Sequence, residues 1–488
     1  MIDEFPEGWV LSTLGEVCSH PQYGWTTSAK RVGKGLKLLR TTDISAGPVD
    51  WSAVPECARE PEDPTKYLLT RGDILVARAG SVGVSYIVTE ECPRAVFASY
   101  LIRFHPFNGI SSEFIGLFLQ SRAYWSAIRE DTAGIAIPNI NASKLSTLEL
   151  PLPPSSEQRR IVAKVEALFA EVSGTRDCLT KASARLKRFR QSVLAAACSG
   201  RLTEDWRARH DLPASGSDGP WTTRTVGFVC EEIVDCPHST PVWTDRGEMC
   251  LRTTNFSSQG LDLSEIRFVS PQTYRTRVAR LEPRPGDVVY SREGGILGIA
   301  CVIPDDLRAC LGQRMMIMRC RPGVMRPRFL CHVLNSPAIL ERVRDLTGGT
   351  ASPHLNVGDI KQFPIPVPTL EEQDEILRRA DALLHLGIGV EAHLTAAIGS
   401  TSSITSAILA KAFRGELVCT EAELAGKEGR DYEPASDLLE RIRTHKAKSD
   451  EVSPDRSVRA QRGQRATGAT LLRVGRPNRK LSQRSRSQ

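Results

Sequence analysis

The chain lacks several patterns that would assign it to a common class of protein. No two of its 13 cysteines are separated by only two residues, and its nine histidines form no ligand-spaced cluster with them. A disulfide scaffold or a zinc module is therefore not expected, and reduced cysteines in a cytoplasm fit best. No uninterrupted apolar run approaches the roughly 20 residues that span a bilayer, and the N-terminal MIDEFPEGWV lacks the apolar core of a signal peptide. These absences predict a cytoplasmic protein with no membrane partner.

The motifs of the common enzyme classes are absent as well. The sequence contains no GxxxxGK[ST], GxGxxG, HExxH or GxSxG pattern. Glu157 and Glu372 could be read as paired carboxylates, but each lies at the start of a long helical pattern, where a capping role explains it. No catalytic residue and no metal site is therefore predicted, and binding becomes the better class.

The net charge of +7 is unevenly distributed along the chain. Residues 453–488 hold ten basic residues and one acidic residue, a net of +9, so the rest of the chain sums to −2. The basic character belongs to this C-terminal segment. The rest of the chain would bind a polyanion only through local patches.

The strongest pattern is an internal repeat. Six segments recur in the same order at a nearly constant offset: 9–14 with 221–226, 39–44 with 251–256, 72–80 with 286–294, 138–141 with 353–356, 151–158 with 366–373, and 193–202 with 408–417. Such collinearity indicates a duplicated unit, and the period is far too long for a solenoid. Each copy must therefore comprise a domain and a further segment joined to it.

Each copy begins with a mixed pattern that predicts an α/β (α+β) globular domain. Apolar stretches at 73–77 and 287–291 read as buried strands, and 112–129 and 328–346 read as helices. The predicted boundaries are 1–150 for the first domain, 151–202 for a first spacer helix, 203–220 for a linker, 221–365 for the second domain, 366–418 for a second spacer helix, and 419–488 for a charged, basic, disordered tail.

A long helix is predicted after each domain. Ser155 with Gln158, and Thr369 with Glu372, fit the S/T-x-x-E/Q capping box. Apolar positions then alternate at spacings of four and three, which is the seam of two helices that pack lengthwise. The seam positions are 161, 165, 168, 172, 175, 179, 182, 186, 189 and 193 in the first copy, and 376, 380, 383, 387, 390, 394, 397, 401, 404 and 408 in the second. Gly200 and Gly415 supply C-terminal stops.

The two helices can be read in two ways. Either they pair with each other as an antiparallel coiled coil with pseudo-twofold symmetry, or each forms a separate coiled coil that recruits a partner. Pairing is the more specific interpretation, because the apolar seam of each helix needs an apolar partner and the helix of the other copy is the nearest one.

At this point the sequence resembles a known family. The segments that carry the resemblance are GDILVARAG with SVG at 72–83, GDVVYSREGG at 286–295, IPNINASKLSTLELPLPPSSEQRRIV at 137–162, CSGRL at 198–202 and FRGEL at 413–417. They look like the specificity (S) subunit of type I restriction–modification enzymes. The resemblance covers about residues 5–418, and nothing carries over to the segment that follows.

The resemblance implies two target-recognition domains, each reading one half of an interrupted, asymmetric DNA sequence. It implies spacer helices that dock two methyltransferase subunits, which bring S-adenosylmethionine, and a motor–nuclease subunit, which brings ATP and Mg²⁺. The chain itself would bind no cofactor and carry no catalysis. Two domains on a rigid spacer can contact double-stranded DNA at two sites in fixed register.

Candidate DNA contacts follow from side-chain chemistry, because arginine and lysine reach guanine or phosphate and asparagine or glutamine reaches adenine. Positions that are polar in both copies suggest a clamp on the DNA backbone: Arg40, Thr41, Thr42 and Arg78 with Arg252, Thr253, Thr254 and Arg292, together with Ser81 in the Gly80 loop. Positions that differ would read bases: Gln22, Tyr23, Thr26, Thr27, Lys30 and Arg31 against His238, Ser239, Thr240 and Arg246, with loops 134–139 and 348–354, including His354.

Each of these candidates has a structural alternative. Arg40 and Arg252 could instead cap strand ends or pair with Asp73 and Asp287, and Tyr23 could belong to a core. Within the tail, 421–448 could form a short helix with a narrow apolar stripe of Leu438, Leu439 and Ile442, whereas the basic segment 453–488 reads as disordered and could add phosphate affinity or have no function. A rival for the whole chain is a coiled-coil scaffold with two ligand-binding modules and no DNA role, and another is an enzyme with an unlisted active site.

Overall fold

A computed structural model of the chain describes residues 5–30, 35–132, 139–211, 221–257, 260–348 and 353–451. The chain divides into two units. Unit 1 comprises Met1–Ser173 with Ser402–Gln488, and unit 2 comprises Gly174–Thr401. Each unit holds one copy of the mixed domain and a segment of both long helices.

The first copy is built of short strands and short helices. Its strands are β1 (Val10–Thr13), β2 (Gln22–Tyr23), β3 (Ala29–Lys30), β4 (Lys37–Leu39), β5 (Glu56–Cys57), β6 (Ile74–Ala77), β7 (Ser85–Ile87), β8 (Ala95–Phe97), β9 (Leu101–Phe104) and β10 (Glu149–Leu152). Its helices are α1 (Leu14–Val17), α2 (Thr41–Ser45), α3 (Ser112–Phe118), α4 (Arg122–Thr132) and α5 (Ala142–Ser146). Helix α6 (Ser155–Cys198) follows.

The second copy repeats this series after α6. Its strands are β11 (Thr222–Thr225), β12 (Cys230–Asp235), β13 (Trp243–Thr244), β14 (Glu248–Leu251), β15 (Phe256–Ser257), β16 (Gly260–Leu261), β17 (Arg267–Val269), β18 (Val288–Ser291), β19 (Ala300–Val302), β20 (Ala309–Leu311), β21 (Met315–Cys320) and β22 (Pro364–Val367). Its helices are α7 (Glu204–Arg209), α8 (Val226–Val229), α9 (Pro271–Val278), α10 (Pro327–Leu334), α11 (Pro337–Thr347) and α12 (Val357–Lys361). Helix α13 (Leu370–Phe413) follows, and then α14 (Glu421–Glu428) and α15 (Ala435–Glu451).

The two copies share one sheet topology. In the first copy an antiparallel sheet has the order β2-β9-β6-β7, and a mixed sheet has the order β3-β5-β4-β8, with β4 and β8 parallel. The second copy has the matching orders β12-β21-β18-β19 and β13-β17-β14-β20, with β14 and β20 parallel. The β1–β10 pair matches the β11–β22 pair, and only the β15–β16 hairpin has no counterpart within the described part of the first copy. The predicted duplication of a mixed fold is therefore confirmed.

Both long helices are continuous over 44 residues, and at 1.5 Å per residue each is about 65 Å long. Neither Gly174 nor Gly387 interrupts its helix, and Gly200 and Gly415 adopt left-handed φ values of 82° and 73° where the helices stop. The predicted stops are therefore confirmed.

Within each unit the helices pair in opposite directions. In unit 1 the start of α6, at Ile161 and Val165, shares a core with Ile408 and Ala412 near the end of α13. In unit 2 the end of α6, at Val193 and Ala197, shares a core with Ile376 and Ala380 near the start of α13. Leu186 Cδ1 would lie 3.5 Å from a Cβ at Gly387. The antiparallel reading is thus the correct one.

The seam is not buried along its whole length. The side chains of Phe189 and Val390 in unit 2 are 42% and 50% exposed, and Ile404 in unit 1 is 47% exposed. Phe189 and Ile404 occupy equivalent positions of the repeat, so both copies leave the same seam position open to solvent.

Helix α13 is also the one helix in the described part of the chain that is long and apolar enough to cross a membrane, with a mean hydropathy of 1.3 over its most apolar 18 residues. A single such helix is weak evidence for a membrane span.

Two predicted helices are each divided in two. The stretch 112–129 breaks between α3 and α4, where the Ser121 hydroxyl accepts a hydrogen bond of 3.2 Å from the Tyr124 amide and so caps α4. The stretch 328–346 breaks between α10 and α11, where Pro337 occupies the first turn of α11. Proline starts a helix easily but cannot continue one, because it lacks the N–H donor.

The predicted capping boxes are only partly present. The Thr369 hydroxyl accepts a hydrogen bond of 3.3 Å from the Glu372 amide, as an N-cap does. The Ser155 hydroxyl instead donates to the Gly109 carbonyl at 2.6 Å. The side chains of Gln158 and Glu372 bind other parts of the fold, so the reciprocal half of the box is missing at both sites.

The segment after α13 is helical where the stripe of Leu438, Leu439 and Ile442 allowed a short helix, so disorder does not hold for the whole of 419–488. Residues 421–451 form α14 and α15, and Leu438, Leu439 and Ile442 of α15 are buried in the core of unit 1. The narrow apolar stripe of α15 is what orders this segment. Residues 452–488 lie outside the described residues.

Candidate nucleic-acid interface

Arg78 follows strand β6 and begins the glycine-containing loop of the first copy. Its amide donates to the Tyr100 carbonyl at 2.9 Å, and its carbonyl accepts from the Ile140 amide at 3.0 Å. The guanidinium lies over the Tyr23 ring, 4.9 Å from the centroid, and the Tyr23 hydroxyl accepts from the Ala142 amide at 3.1 Å. The arginine is thus held in place by its backbone and by an aromatic face.

Arg292 follows strand β18 in the second copy and has the same backbone arrangement. Its amide donates to the Arg314 carbonyl at 3.0 Å, and its carbonyl accepts from the Leu355 amide at 2.8 Å. Its guanidinium makes two hydrogen bonds of 2.8 Å to Asp235 and an ion pair of 2.9 Å with Glu293. Burial works against its charged form, but the bonds to Asp235 and the nearby carboxylates raise the pKa of Arg292 above its usual value.

The difference between the two arginines comes from one repeat position. Tyr23 and Asp235 are equivalent, since the offset that relates Leu39 to Leu251 also relates these two positions. An aromatic ring in the first copy thus replaces a carboxylate in the second. Within the described residues Arg78 contacts no carboxylate, and its Nε has no hydrogen-bond partner. Arg78 therefore keeps an uncompensated positive charge, whereas the charge of Arg292 is balanced by Asp235 and Glu293.

Two further predicted residues, His238 and His354, lie beside Arg292 and Glu293. His238 is largely exposed, and its Nε2 lies 3.0 Å from Asp235 and 3.2 Å from the Arg292 guanidinium. The backbone of His354 forms a bridge with Glu293. Thr240 donates to the side chain of Gln313 at 3.1 Å.

Sequence reasoning missed two residues at this site. Tyr100 and Arg314 provide the carbonyls that accept from the amides of Arg78 and Arg292, and Tyr100 is 60% exposed. Arg314 is exposed and has a φ of 74°, a left-handed value that a side chain other than glycine rarely adopts. Each of the two residues directly precedes a strand, at equivalent positions of the repeat, but their residue types differ. Only an alignment of the two copies could therefore have identified them.

The remaining candidates of the first copy lie on or near strands β2 and β3. The Gln22 side chain donates to the Lys66 carbonyl at 2.8 Å and accepts from Arg103, so it is engaged within the fold. Thr26 and Lys30 are exposed, and the Thr27 hydroxyl accepts from the Arg59 amide at 3.2 Å. Arg31 lies outside the described residues.

Arg40 and Arg252 occupy equivalent positions at the ends of β4 and β14, in the second sheet of each copy. Arg40 forms an ion pair of 2.6 Å with Asp43, and the Arg252 guanidinium donates to the Glu265 carbonyl at 2.9 Å. Both backbone amides are capped, by Asp43 and Asn255 respectively, at 2.8 Å.

The structural alternative named Asp73 and Asp287 as partners of these arginines, and neither carboxylate pairs with them. Asp73 and Asp287 pair with Arg103 and Arg319 on the neighbouring strands β9 and β21. The exposed threonines Thr42 and Thr254, and the half-buried Thr41 and Thr253, follow Arg40 and Arg252 in the first turn after each strand.

The other candidates are more scattered. Ser81 is half-buried in the loop after Arg78, and the Ser239 carbonyl accepts from Arg277 at 3.1 Å. Arg246 is exposed in the turn between β13 and β14. Residues 133–138 and 349–352, which make up most of the two predicted polar loops, lie outside the described residues.

A buried glutamate connects each sheet domain to its long helix, and this role too was missed. In unit 1 the Trp9 indole donates to Glu157 at 2.9 Å, and the Glu421 amide donates to it at 2.8 Å. Burial raises the pKa of Glu157, against the effect of these two donors.

In unit 2 the Trp221 indole donates to Glu372 at 2.8 Å, and Arg207 forms an ion pair with it at 2.7 Å. The adjacent Gln158 and Gln373 accept from the amides of Ser111 and Arg326, at 2.8 and 2.7 Å. The Glu-Gln pair of the repeat is thus an anchor between domain and helix rather than a helix cap.

Comparison with known proteins identifies the family. The family model described as type I restriction modification DNA specificity domain matches residues 6–177 and 285–399. The specificity subunit of the type I restriction enzyme EcoKI from Escherichia coli K12 is 26% identical over 468 residues, which are 91% of this chain and 97% of that protein. The StySPI specificity subunit from Salmonella potsdam is 28% identical over 467 residues, with the same coverage of 91% and 97%.

A solved structure supports the fold. One chain of a structure on complex assembly and conformational transition of the type I R-M system superposes with a TM-score of 0.64 at 22% identity, covering 85% of this chain and 99% of that one. The resemblance found in the sequence and the prediction of a non-catalytic specificity subunit are both confirmed. The chain belongs to the family of type I restriction–modification DNA specificity domains.

Proposed function

We propose that this chain is the DNA-recognition subunit of a type I restriction–modification complex and that it binds a bipartite, asymmetric site. The observation that supports this most is the repeated arginine position, which has one backbone setting but different neighbours, Tyr23 in the first copy and Asp235 in the second. A common scaffold with divergent surroundings suits two domains that read two different half-sites.

The two target-recognition domains are proposed to occupy residues 1–150 and 221–365. DNA would approach the exposed side chains around each arginine loop. In the first copy these are Tyr23 and Tyr100, beside the half-buried Arg78, and in the second they are His238 and Thr240 with Arg314. Thr26, Lys30 and Arg246 are exposed and remain proposed contacts, whereas Gln22 and Arg292 would act by fixing their neighbours, because their polar groups are engaged within the fold.

The spacer helices are proposed to dock two methyltransferase subunits. In unit 2 the side chain of Leu386 is 70% exposed. Val390, about one turn further along α13, and Phe189 of α6 are exposed as well. A groove of about 470 Å³ between α6 and α13 is lined by Leu186, Phe189, Leu384, Gly387 and Ile398 among others. Exposed apolar side chains around a groove are typical of a protein–protein interface.

The cofactors would then belong to the partners. The methyltransferase subunits would bring S-adenosylmethionine, and motor–nuclease subunits would bring ATP and Mg²⁺. The assembly would act in the cytoplasm on double-stranded DNA.

Methylation mapping tests the proposal. Cells that express the chain with its methyltransferase subunit should methylate a bipartite motif across the genome, and deletion of the chain should abolish that methylation. Replacing residues 1–150 with the first domain of another family member should change one half of the motif and leave the other half unaltered. Methylation that persists without the chain, or a swap that changes both halves, would contradict the proposal.

A further inference from the structure

Helix α1 of unit 1 is covered by helix α15. Arg443 of α15 donates to Glu16 at 2.8 Å, and Lys446 donates to the Gly15 carbonyl at 3.1 Å and lies 6.0 Å from the Phe107 ring centroid. A Cβ at Gly109 would lie 2.8 Å from Leu438 Cδ1. Helix α15 therefore fits closely against Gly15, Glu16, Phe107 and Gly109.

The repeat identifies the equivalent surface in unit 2. In the register that aligns Leu14 with Val226, Gly15 and Glu16 correspond to Gly227 and Phe228 of α8. The Phe107 amide donates to the Val17 carbonyl at 3.0 Å, and the Arg321 amide donates to the Val229 carbonyl at 2.8 Å. Phe107 therefore corresponds to Arg321, and Gly109 corresponds to Gly323, which has a similar left-handed φ.

This surface of unit 2 is open to solvent. Phe228 is 46% exposed, and Gly227, Arg321 and Gly323 are exposed as well. A Cβ at Gly323 would meet no atom within 4 Å, in contrast to one at Gly109. We call Arg224, Gly227, Phe228, Arg321 and Gly323 the open face.

The described residues include no counterpart of α15 for the open face. In the first copy α14 and α15 follow α13, whereas in the second copy α7 follows α6 and the next strand begins at Thr222. Only the short stretch 212–220 lies outside the described part there, and α15 has 17 residues. The basic segment 453–488, with a net charge of +9, is a poor occupant for a surface that is itself basic.

The charge of the open face is opposite to that of its counterpart. In unit 1 the surface carries Glu16 and the covering helix brings Arg443 and Lys446. In unit 2 the guanidinium groups of Arg224 and Arg321 lie 5.4 and 5.6 Å from the Phe228 ring centroid. The pKa of Arg319 is raised chiefly by its hydrogen bond to Asp287, and the charges of the nearby Glu231 and Glu232 add to this effect.

We propose that the open face docks an acidic amphipathic helix of a partner protein. The apolar stripe of that helix would cover Phe228 and the two glycines, as Leu438 and its neighbours cover Gly109 in unit 1. Its carboxylates would pair with Arg224 and Arg321, as Arg443 pairs with Glu16. Exposed aromatic and arginine side chains are the types most enriched in binding hot spots.

Helix α15 supplies a probe for this proposal. A fluorescent peptide with the α15 sequence has four acidic and four basic residues, and the changes Arg443→Glu and Lys446→Glu bring its net charge to −4 while its apolar stripe stays intact. Both peptides are stabilised by a side-chain link on their solvent face, because isolated helices of this length are marginal in water. Binding to the full chain is measured by fluorescence anisotropy.

The charge-reversed peptide should bind at least ten-fold more tightly than the native one. Phe228→Ala and Arg321→Glu should each weaken its binding at least ten-fold, and Leu346→Ala, at an exposed apolar position of α11 elsewhere in unit 2, should leave it unchanged. The proposal is overturned if the two peptides bind alike or if Phe228→Ala has no effect. If the native peptide binds more tightly at Phe228, the occupant is α15 of a second copy. If neither peptide binds and Phe228→Ala lowers the affinity for DNA, the open face belongs to the DNA interface. Either result overturns the proposal.

Discussion

The indole of Trp9 and the carboxylate of Glu157 are joined by a buried hydrogen bond of 2.9 Å across 148 residues of chain. Trp221 and Glu372 repeat this bond in unit 2 at 2.8 Å. In both copies the tryptophan opens the sheet domain and the glutamate opens the long helix that leaves it. The bond therefore fixes the direction in which the helix departs from the domain.

Removal of either glutamate should destabilise its own unit. Glu372→Ala leaves the buried Arg207 without its partner, and we expect a loss of about 3–5 kcal/mol in the stability of unit 2. Glu157→Ala removes an acceptor from Trp9 and from the Glu421 amide and should cost unit 1 about 1–3 kcal/mol. Both stability losses are measured by following hydrogen exchange of each unit as the denaturant concentration is raised. Glu166→Ala, at an exposed position of α6, serves as the control. Equal stability of Glu372→Ala and the unchanged chain would refute the anchoring role.

Arg78 and Arg292 should respond differently to substitution. Arg78→Ala removes a charge that contacts no described carboxylate, so affinity for the cognate DNA should fall about ten-fold or more and its dependence on salt should weaken, with little change in stability. Arg292→Ala leaves Asp235 and Glu293 uncompensated and should destabilise unit 2 by about 3 kcal/mol. DNA titrations at several salt concentrations and thermal unfolding separate the two effects. The comparison fails if Arg78→Ala unfolds the chain while Arg292→Ala changes only DNA binding.

The stability of unit 2 should depend on pH through His332. Burial, helped by the charges of Arg328 and Arg190, lowers the pKa of His332 to about 4. The unfolded chain takes up the proton at a higher pH than the folded chain does, so the contribution of His332 is fully present above about pH 6.5 and is lost as the pH falls toward 4. The loss should reach about 3 kcal/mol.

Unfolding of the unchanged chain and of His332→Gln between pH 7 and pH 4 measures this contribution. The stability difference between the two should shrink as the pH falls, whereas His393→Gln, at an exposed position, should show no such trend. A difference that is constant over this range would exclude His332 as the cause.

Truncation should reveal the role of α14 and α15. A chain that ends at residue 451 should keep the stability of unit 1, whereas a chain that ends at residue 418 loses the buried Leu438, Leu439 and Ile442. At roughly 1.5–3 kcal/mol per buried aliphatic side chain, opening of α3 should become easier by about 3 kcal/mol or more. Hydrogen exchange of the peptide that contains Phe114 reports this change. Unaltered protection in the shorter chain would show that the helices are dispensable.

The sequence predicted the parts of this fold that depend on periodicity and on repetition. The duplication of a mixed fold was found from the register of the repeat, a long helix was predicted within 151–202, where α6 (Ser155–Cys198) lies, and the glycine stops are where the pattern put them. These features are encoded locally, in the spacing of apolar residues and in the conformational freedom of glycine. Contacts between residues far apart in the chain were not accessible in this way.

The polar partners show the limit most clearly. The structural alternative to DNA contact named Asp73 as a partner of Arg40, but Asp43 is close to Arg40 in the chain and reaches it across one helical turn. Glu157 and Glu372 looked like helix caps because their partners Trp9 and Trp221 lie far earlier in the chain, at the opposite end of each domain. The folded role of Leu438 was hidden because a three-residue apolar stripe does not reveal which surface it covers.

The hydrogen bond between the Ala435 amide and the Gly8 carbonyl, 2.9 Å long, sets an order for biosynthesis. Unit 2 is one uninterrupted stretch, whereas the core of unit 1 lacks its share of α13 and α15 until the end of the chain has been translated, although all of its described strands lie within residues 10–152. The part of the protein that is translated first is therefore the part that matures last.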